Sequence, residues 1–170
     1  VREVTVVEPV PTDTEAPVKN IKKGDIVISY DKNMNKMTSV VECVVKTHCI
    51  DMCPMININR LNITPYHPII YNGKWTFPID VAIGKNIYID TEYIYSIVTN
   101  NRNNIIVEDY IFATFGHGIQ GNVIGHNFFG TENVINDIKK FNTYNDGYVI
   151  LQPHMIKRDD NMLVCNIIEN

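Results

Sequence analysis

The chain has 170 residues and a mass of 19.5 kDa, with 45% hydrophobic and 20% charged residues and a net charge of -4. That makes one ordinary domain, or a core with an appendage, long enough to bury an interior, and it excludes the disordered, collagenous and coiled-coil classes. The acidic balance argues against nucleic acid or an anionic membrane surface as partner, and no run nears the roughly 20 apolar residues that span a bilayer.

Isoleucine outnumbers leucine 26 to 3 and asparagine is abundant, which favours β-structure with polar turns over packed helices. In chain order, alternating runs at residues 26–30, 39–46, 56–59, 69–71, 87–89, 93–98, 105–107 and 110–115 predict strands. Turn residues at 31–35, at Asn72-Gly73 and at 100–104 predict at least three hairpins, because Asn and Gly accept positive φ. Residues 131–141 predict the one helix, with Thr131 as N-cap, Val134, Ile135 and Ile138 on one face, and Lys139 and Lys140 closing the last turn. A strand at 148–151 is expected to return through Leu163, Val164 and Cys165.

Four cysteines, at 43, 49, 53 and 165, are too few and too unevenly spaced for a small secreted disulfide framework. Buried free thiols are the ordinary reading. The cluster of Cys43, His48, Cys49 and Cys53 is the alternative, a zinc site, although it lacks a Cys-x-x-Cys pair.

The segment 18–28 has the frame of 79–89: each enters a strand through an apolar residue, a glycine turn and a polar residue. A repeat at about 60 residues points to two β subdomains related by duplication. Residues 119–170 then read as an appendage to a core at 1–118.

Among the five histidines two sit in unusual company. His67, in Thr64-Pro65-Tyr66-His67-Pro68, follows one strand and precedes another, so that Thr64 and His67 can face one pocket from a turn. His117, in Phe115-Gly116-His117-Gly118, ends an apolar strand between glycines that admit close backbone approach. A neutral-range pKa makes histidine a natural proton carrier. For His126 and His154 structural or surface roles are the expectation.

These blocks resemble the Hint family, the self-processing domains of hedgehog proteins and inteins, and within it the Vint branch found with von Willebrand A domains. Residues 18–27 are similar to the first strand-entry block ending in Gly-Asp, Thr64-x-x-His67 to the Thr-x-x-His block, and 79–87 to the second glycine-turn block. Residues 95–98 through 111–117 resemble the final strands that carry the late histidine. His126-Asn127-Phe128-Phe129-Gly130-Thr131 with the helix after it is similar to the Vint tail.

The resemblance implies an all-β, horseshoe-like Hint fold with pseudo-two-fold duplication over residues 1–118, and a C-terminal helix and β extension over 119–170. It implies a single-turnover, intramolecular reaction: a Cys or Ser at the domain's first position attacks the preceding carbonyl, converting an amide to a thioester or ester, with Thr64 and His67 assisting and His117 as the late histidine. The partner would be the chain's own upstream polypeptide, with water, a thiol or an amine as external nucleophile. No cofactor, metal, nucleic acid or membrane span is expected, and the domain would be a soluble monomer, intracellular rather than secreted.

Two departures qualify this. The nucleophile should fall at Val1 or just before it, and Val1 has no nucleophilic atom; either the Cys or Ser was cut off or replaced, or the copy is degenerate and serves a structural or interaction role. Gly118 stands where a splicing intein has its terminal Asn, which disfavours splicing. A second possible end, at Asn127, is followed by Phe128, which cannot accept a transferred chain, so Asn127 could at most cleave there.

Overall fold

The computed structural model describes residues 3–7 and 13–169. Its elements are β1 (Glu3–Val7), β2 (Asp13–Pro17), β3 (Ile26–Tyr30), β4 (Lys36–His48), β5 (Cys53–Ile58), β6 (Leu61–Ile63), β7 (Ile69–Tyr71), β8 (Lys74–Thr76), β9 (Lys85–Ile89), β10 (Tyr93–Thr99), β11 (Ile105–Val107) and β12 (Tyr110–Phe112), followed by α1 (Glu132–Ile138), β13 (Tyr148–Leu151), β14 (Ile156–Arg158) and β15 (Val164–Ile167). The fold is all-β. The largest sheet runs β10-β4-β3-β1-β2 with β13 added to β4, and smaller sheets run β11-β12-β7-β8, β6-β5-β9 and β14-β15.

Strand β4 is the spine. Its first half pairs antiparallel with β3 and its second half with β10, while β13 joins it in parallel at Val44 to Thr47. Side chains alternate along a strand, but a register shift where Val98 pairs with Cys43 and Thr99 with Val41 leaves Glu42 as an extra residue, and β4 feeds two cores at once. Val41 and Val44 enter a cluster with Val27, Ile56, Ile63, Ile69 and Phe112, whereas Cys43 and Val45 enter one with Val98, Phe128, Ile135, Ile138 and Val149. The second cluster is built largely by residues 119–170.

The repeated segments do fold alike. A 3-10 turn at Val18–Asn20 and another at Pro78–Asp80 each bury their first residue, close through Ile21 N–H to Val18 and Val81 N–H to Pro78, and lead through Gly24 and Gly84 into β3 and β9. The two glycines have different reasons. Gly24 has φ +93, while a Cβ on Gly84 would lie 2.7 Å from the Ile56 side chain.

Three expectations are corrected. Residues 100–104 are no hairpin: β10 pairs with β4 and β11 with β12. The asparagines there are drawn inward by partners on β3 and β4, as described below. The strand at 148–151 does not pair with 164–167; it takes the β4 edge beyond the stretch that β3 occupies, which buries Val149 and Leu151 in the second cluster, and β15 takes β14 instead. Cys49 and Cys53 are joined in a disulfide across the turn after β4, which consumes two of the four residues considered for zinc. Cys43 is a buried free thiol as expected, and Cys165 is an exposed one. The other turns form as read: Asp31 caps the β3–β4 turn through the Asn33 and Asn35 amides, although the positive φ falls on Met34, and Asn72-Gly73, both at positive φ, closes β7–β8.

Among the described residues no helix is long and apolar enough to cross a membrane, and no group of three or more His, Cys, Asp or Glu could hold a metal ion.

Candidate functional site

The Thr64 to His67 turn connects β6 to β7. The His67 amide donates to the Thr64 carbonyl at 3.4 Å, and the Pro65 carbonyl accepts from the Ile79 amide at 3.1 Å, which ties the turn to the second glycine-turn block. Tyr66 points outward and meets Phe77 edge-on at 5.5 Å. Thr64 and His67 are both half-buried.

What fixes the His67 ring follows from its neighbour. The β12–β7 ladder continues one step past Phe112, where the Ala113 amide donates to the Pro68 carbonyl at 3.1 Å. In an antiparallel pair the opposite residue would return the bond. Pro68 has no N–H to give, and the Ala113 carbonyl instead takes the Nε2 of His67 at 2.7 Å. A carbonyl only accepts, so Nε2 carries the proton and Nδ1 of the neutral ring keeps its lone pair. The ring also rests against Phe112, with centroids 5.1 Å apart.

Burial is the main influence on this imidazole, and it pushes the pKa down to about 4; the Ala113 carbonyl pulls the other way, and His117 is near enough to lower it further. The residue as a whole is half-buried, and the protein atoms packed around the ring suffice to disfavour its charged form. At neutral pH His67 is therefore uncharged.

His117 is held differently. Its Nδ1 accepts the Ile119 amide at 2.9 Å, and the Ile124 carbonyl bonds the ring as well. Burial lowers its pKa, against the Ile124 carbonyl and with the help of His126. The glycines around it are used. Gly116 and Gly118 lie at φ +73 and +72, and a Cβ on Gly116 would crowd Ile135 and Arg102 at 3.1 and 3.3 Å. Their amides donate to the Phe129 and Gly130 carbonyls at 2.8 and 2.7 Å, so the tail folds back along the late histidine. Thus the fold brings His67 and His117 into one neighbourhood, but both ring contacts of His117 are spent on the tail.

His126 takes the Phe128 and Phe129 amides on Nδ1, at 3.1 and 3.0 Å, and packs on Phe129. The Asn127 carbonyl accepts from Thr131 Oγ1 at 2.8 Å and from Asn133 Nδ2 at 3.2 Å, as part of the α1 cap. His48 contacts Gln152. Val1, the expected position of the nucleophile, lies outside the described residues. The residue-level reading missed Ala113, whose backbone does the work; the one available signal was the proline after His67, which deprives a ladder of its donor.

A family model described as Vint, Hint-domain, matches residues 3–166, nearly the whole chain. No curated protein matches it.

Proposed function

We propose, from the premise that this chain belongs to the Hint-domain family in its Vint form, that it cleaves its own upstream segment by an amide-to-thioester or amide-to-ester shift and does not splice. Membership makes it an autoprocessing-type module. The finer reading is supported above all by one observation: a neutral His67 whose Nε2–H is tied to Ala113, so that Nδ1 is the nitrogen that keeps its lone pair.

A neutral imidazole whose single N–H is committed to the Ala113 carbonyl has no acidic proton to supply at the outset, so His67 acts first as a base. A Cys thiol or Ser hydroxyl at or before Val1 gives its proton to Nδ1 while its sulfur or oxygen attacks the preceding carbonyl carbon. When the tetrahedral adduct collapses, the carbon–nitrogen bond breaks, and Nδ1 passes the same proton to the departing nitrogen. The low proton affinity of the buried ring helps this second transfer. Thr64 serves as a hydrogen-bonding group beside the reacting atoms. An external thiol, amine or water then takes the acyl group. His117, engaged by the Ile119 amide and the Ile124 carbonyl, moves no proton in this step, and Gly118 offers no side chain for cyclisation.

The test is thiol-induced cleavage of a precursor that carries the natural upstream residues. His67→Ala should lower the rate by about 10²–10⁴-fold and Thr64→Ala by about tenfold, the loss of one neutral hydrogen bond; His117→Ala should leave it largely unchanged. Wild-type rates in His67→Ala would overturn the reading. A natural sequence with neither Cys nor Ser at or before Val1 would replace it with a Hint-like module kept for structure or interaction.

A further inference from the structure

We infer that Thr114 is a positioning residue for His67: its buried hydroxyl, bonded into a brace of asparagines, sets the Ala113 carbonyl that holds the imidazole in one tautomer. The inference rests on the reading of His67 as the proton carrier, and deepens it.

The brace is the segment 100–104 that connects β10 to β11. Its polar groups turn inward onto β3 and β4. The Asn104 side chain brackets Tyr30, accepting its amide at 2.9 Å and donating to its carbonyl at 3.0 Å. Asn101 Oδ1 accepts from Ser39 Oγ at 2.9 Å and from the Asn103 amide at 3.1 Å, and Asn100 Oδ1 accepts the Val40 amide at 3.0 Å. Ser39, Thr99 and Thr114 are all buried, where an unmade hydrogen bond is costly. The segment is accordingly a rigid platform anchored on the spine of the large sheet.

Its outlet is the Asn103 carbonyl. That oxygen accepts from Thr114 Oγ1 at 2.5 Å and from Thr99 Oγ1 at 3.1 Å. Thr114 is bonded directly to the Ala113 carbonyl carbon, so the hydroxyl fixes the peptide plane whose oxygen receives His67 Nε2. The next residue is anchored elsewhere, through the Phe115 amide to the Ile97 carbonyl at 3.3 Å. A peptide plane free to rotate would turn the Ala113 oxygen away from the ring and allow the other tautomer, in which Nδ1 carries the proton and cannot accept one.

The experiment is nitrogen NMR of the 170-residue chain labelled at histidine, which reports the tautomer of His67 without any cleavage. The wild-type chain and Thr114→Ser, which keeps the hydroxyl, should show a single Nε2–H form. Thr114→Val, which replaces the hydroxyl with a methyl of the same shape, should lose that single form and show both tautomers. Thr114→Ala, which places no methyl against the Asn103 carbonyl, is the second variant and carries the same expectation. A folded Val or Ala variant that keeps the wild-type tautomer overturns the inference. So does failure of both to fold, since the hydroxyl would then be assigned to stability alone. Because the readout is independent of turnover, a precursor in which His67 proves dispensable would sink the proposed reaction and leave this result standing.

Discussion

A histidine used as a base at neutral pH must be uncharged, and His67 meets that condition by a wide margin. Its pKa lies near 4 against an ordinary 6.5, chiefly because it is buried. The consequence for stability has a definite sign. Between those two values the unfolded chain binds a proton that the folded chain refuses, so stability is intact above about 6.5 and is lost as pH falls toward 4. Urea unfolding at pH 7 and at pH 4.5 should show a larger acid loss for the wild-type chain than for His67→Gln, which cannot titrate. An equal loss in both would place the acid sensitivity on other groups, His117 and His126 first among them, since burial lowers both. Cleavage should likewise show no inflection at 6.5 and fall only near 4. Of this site the sequence made the turn legible, because Thr64, His67 and the flanking prolines are local. It could not show the Ala113 carbonyl, which lies 46 residues away and reaches the ring through backbone alone.

Elements that carry their own signals were the ones read correctly. Thr131 accepts the Asn133 amide at 3.3 Å and so caps α1, whose Val134, Ile135 and Ile138 are buried as their spacing requires. Its hydroxyl also meets the Asn127 carbonyl. Thr131→Ala should therefore cost about 1 kcal/mol of stability, within the usual range for a lost cap, and a thermal melt would register it. Where several asparagines follow one another, local chemistry points to an exposed turn, but Ser29 and Ser39 on the distant β3 and β4, with Thr99 and Thr114 nearer in the chain, offer buried partners, and the segment bonds inward to them. The cysteines were illegible for a similar reason. Cys49 and Cys53 are spaced for neither a zinc pair nor a small disulfide framework, and only the sharp turn between β4 and β5, with Asp51 at positive φ, brings them together. Replacing both by alanine should cost about 2 kcal/mol on the chain-entropy model for so short a loop. Unfolding with and without reductant checks this: reductant should destabilise the parent chain and leave the double variant unmoved.

At the scale of the whole molecule the tail is part of the core's own sheet. Parallel pairing of β13 extends the sheet beside the second half of β4 and adds Val149 and Leu151 to the cluster of Cys43 and Val45, and α1 lays Val134, Ile135 and Ile138 against the same cluster. A half-buried polar bridge crosses the same junction. Arg102 reaches Glu42 at 2.9 Å, and the Tyr144 hydroxyl donates to the same carboxylate at 2.7 Å. Burial works against the charge on Glu42, but Tyr144 and Arg102 outweigh it and hold the carboxyl below its ordinary value. A chain ending at Gly118 would strip all of this from β4 and β10, and it would also remove the backbone groups of Ile119 and Ile124 that hold His117. The cost is set by exposure of side chains now 0 to 1% accessible: Cys43, Val45 and Val98. At 1.5–3 kcal/mol for each fully buried aliphatic side chain, losing that cover approaches the roughly 5–15 kcal/mol that holds a typical domain together. The truncated chain should therefore aggregate or unfold. Cys43 reports the change directly, since in the intact protein its thiol is buried and its pKa is pushed up to about 12, first by that burial and then by Glu42. Alkylation at neutral pH should modify only the exposed Cys165 in the intact chain, and should reach Cys43 once residues 119–170 are gone. A soluble, monodisperse 1–118 fragment with Cys43 still protected would show that the second cluster is an accessory to a core that stands without it.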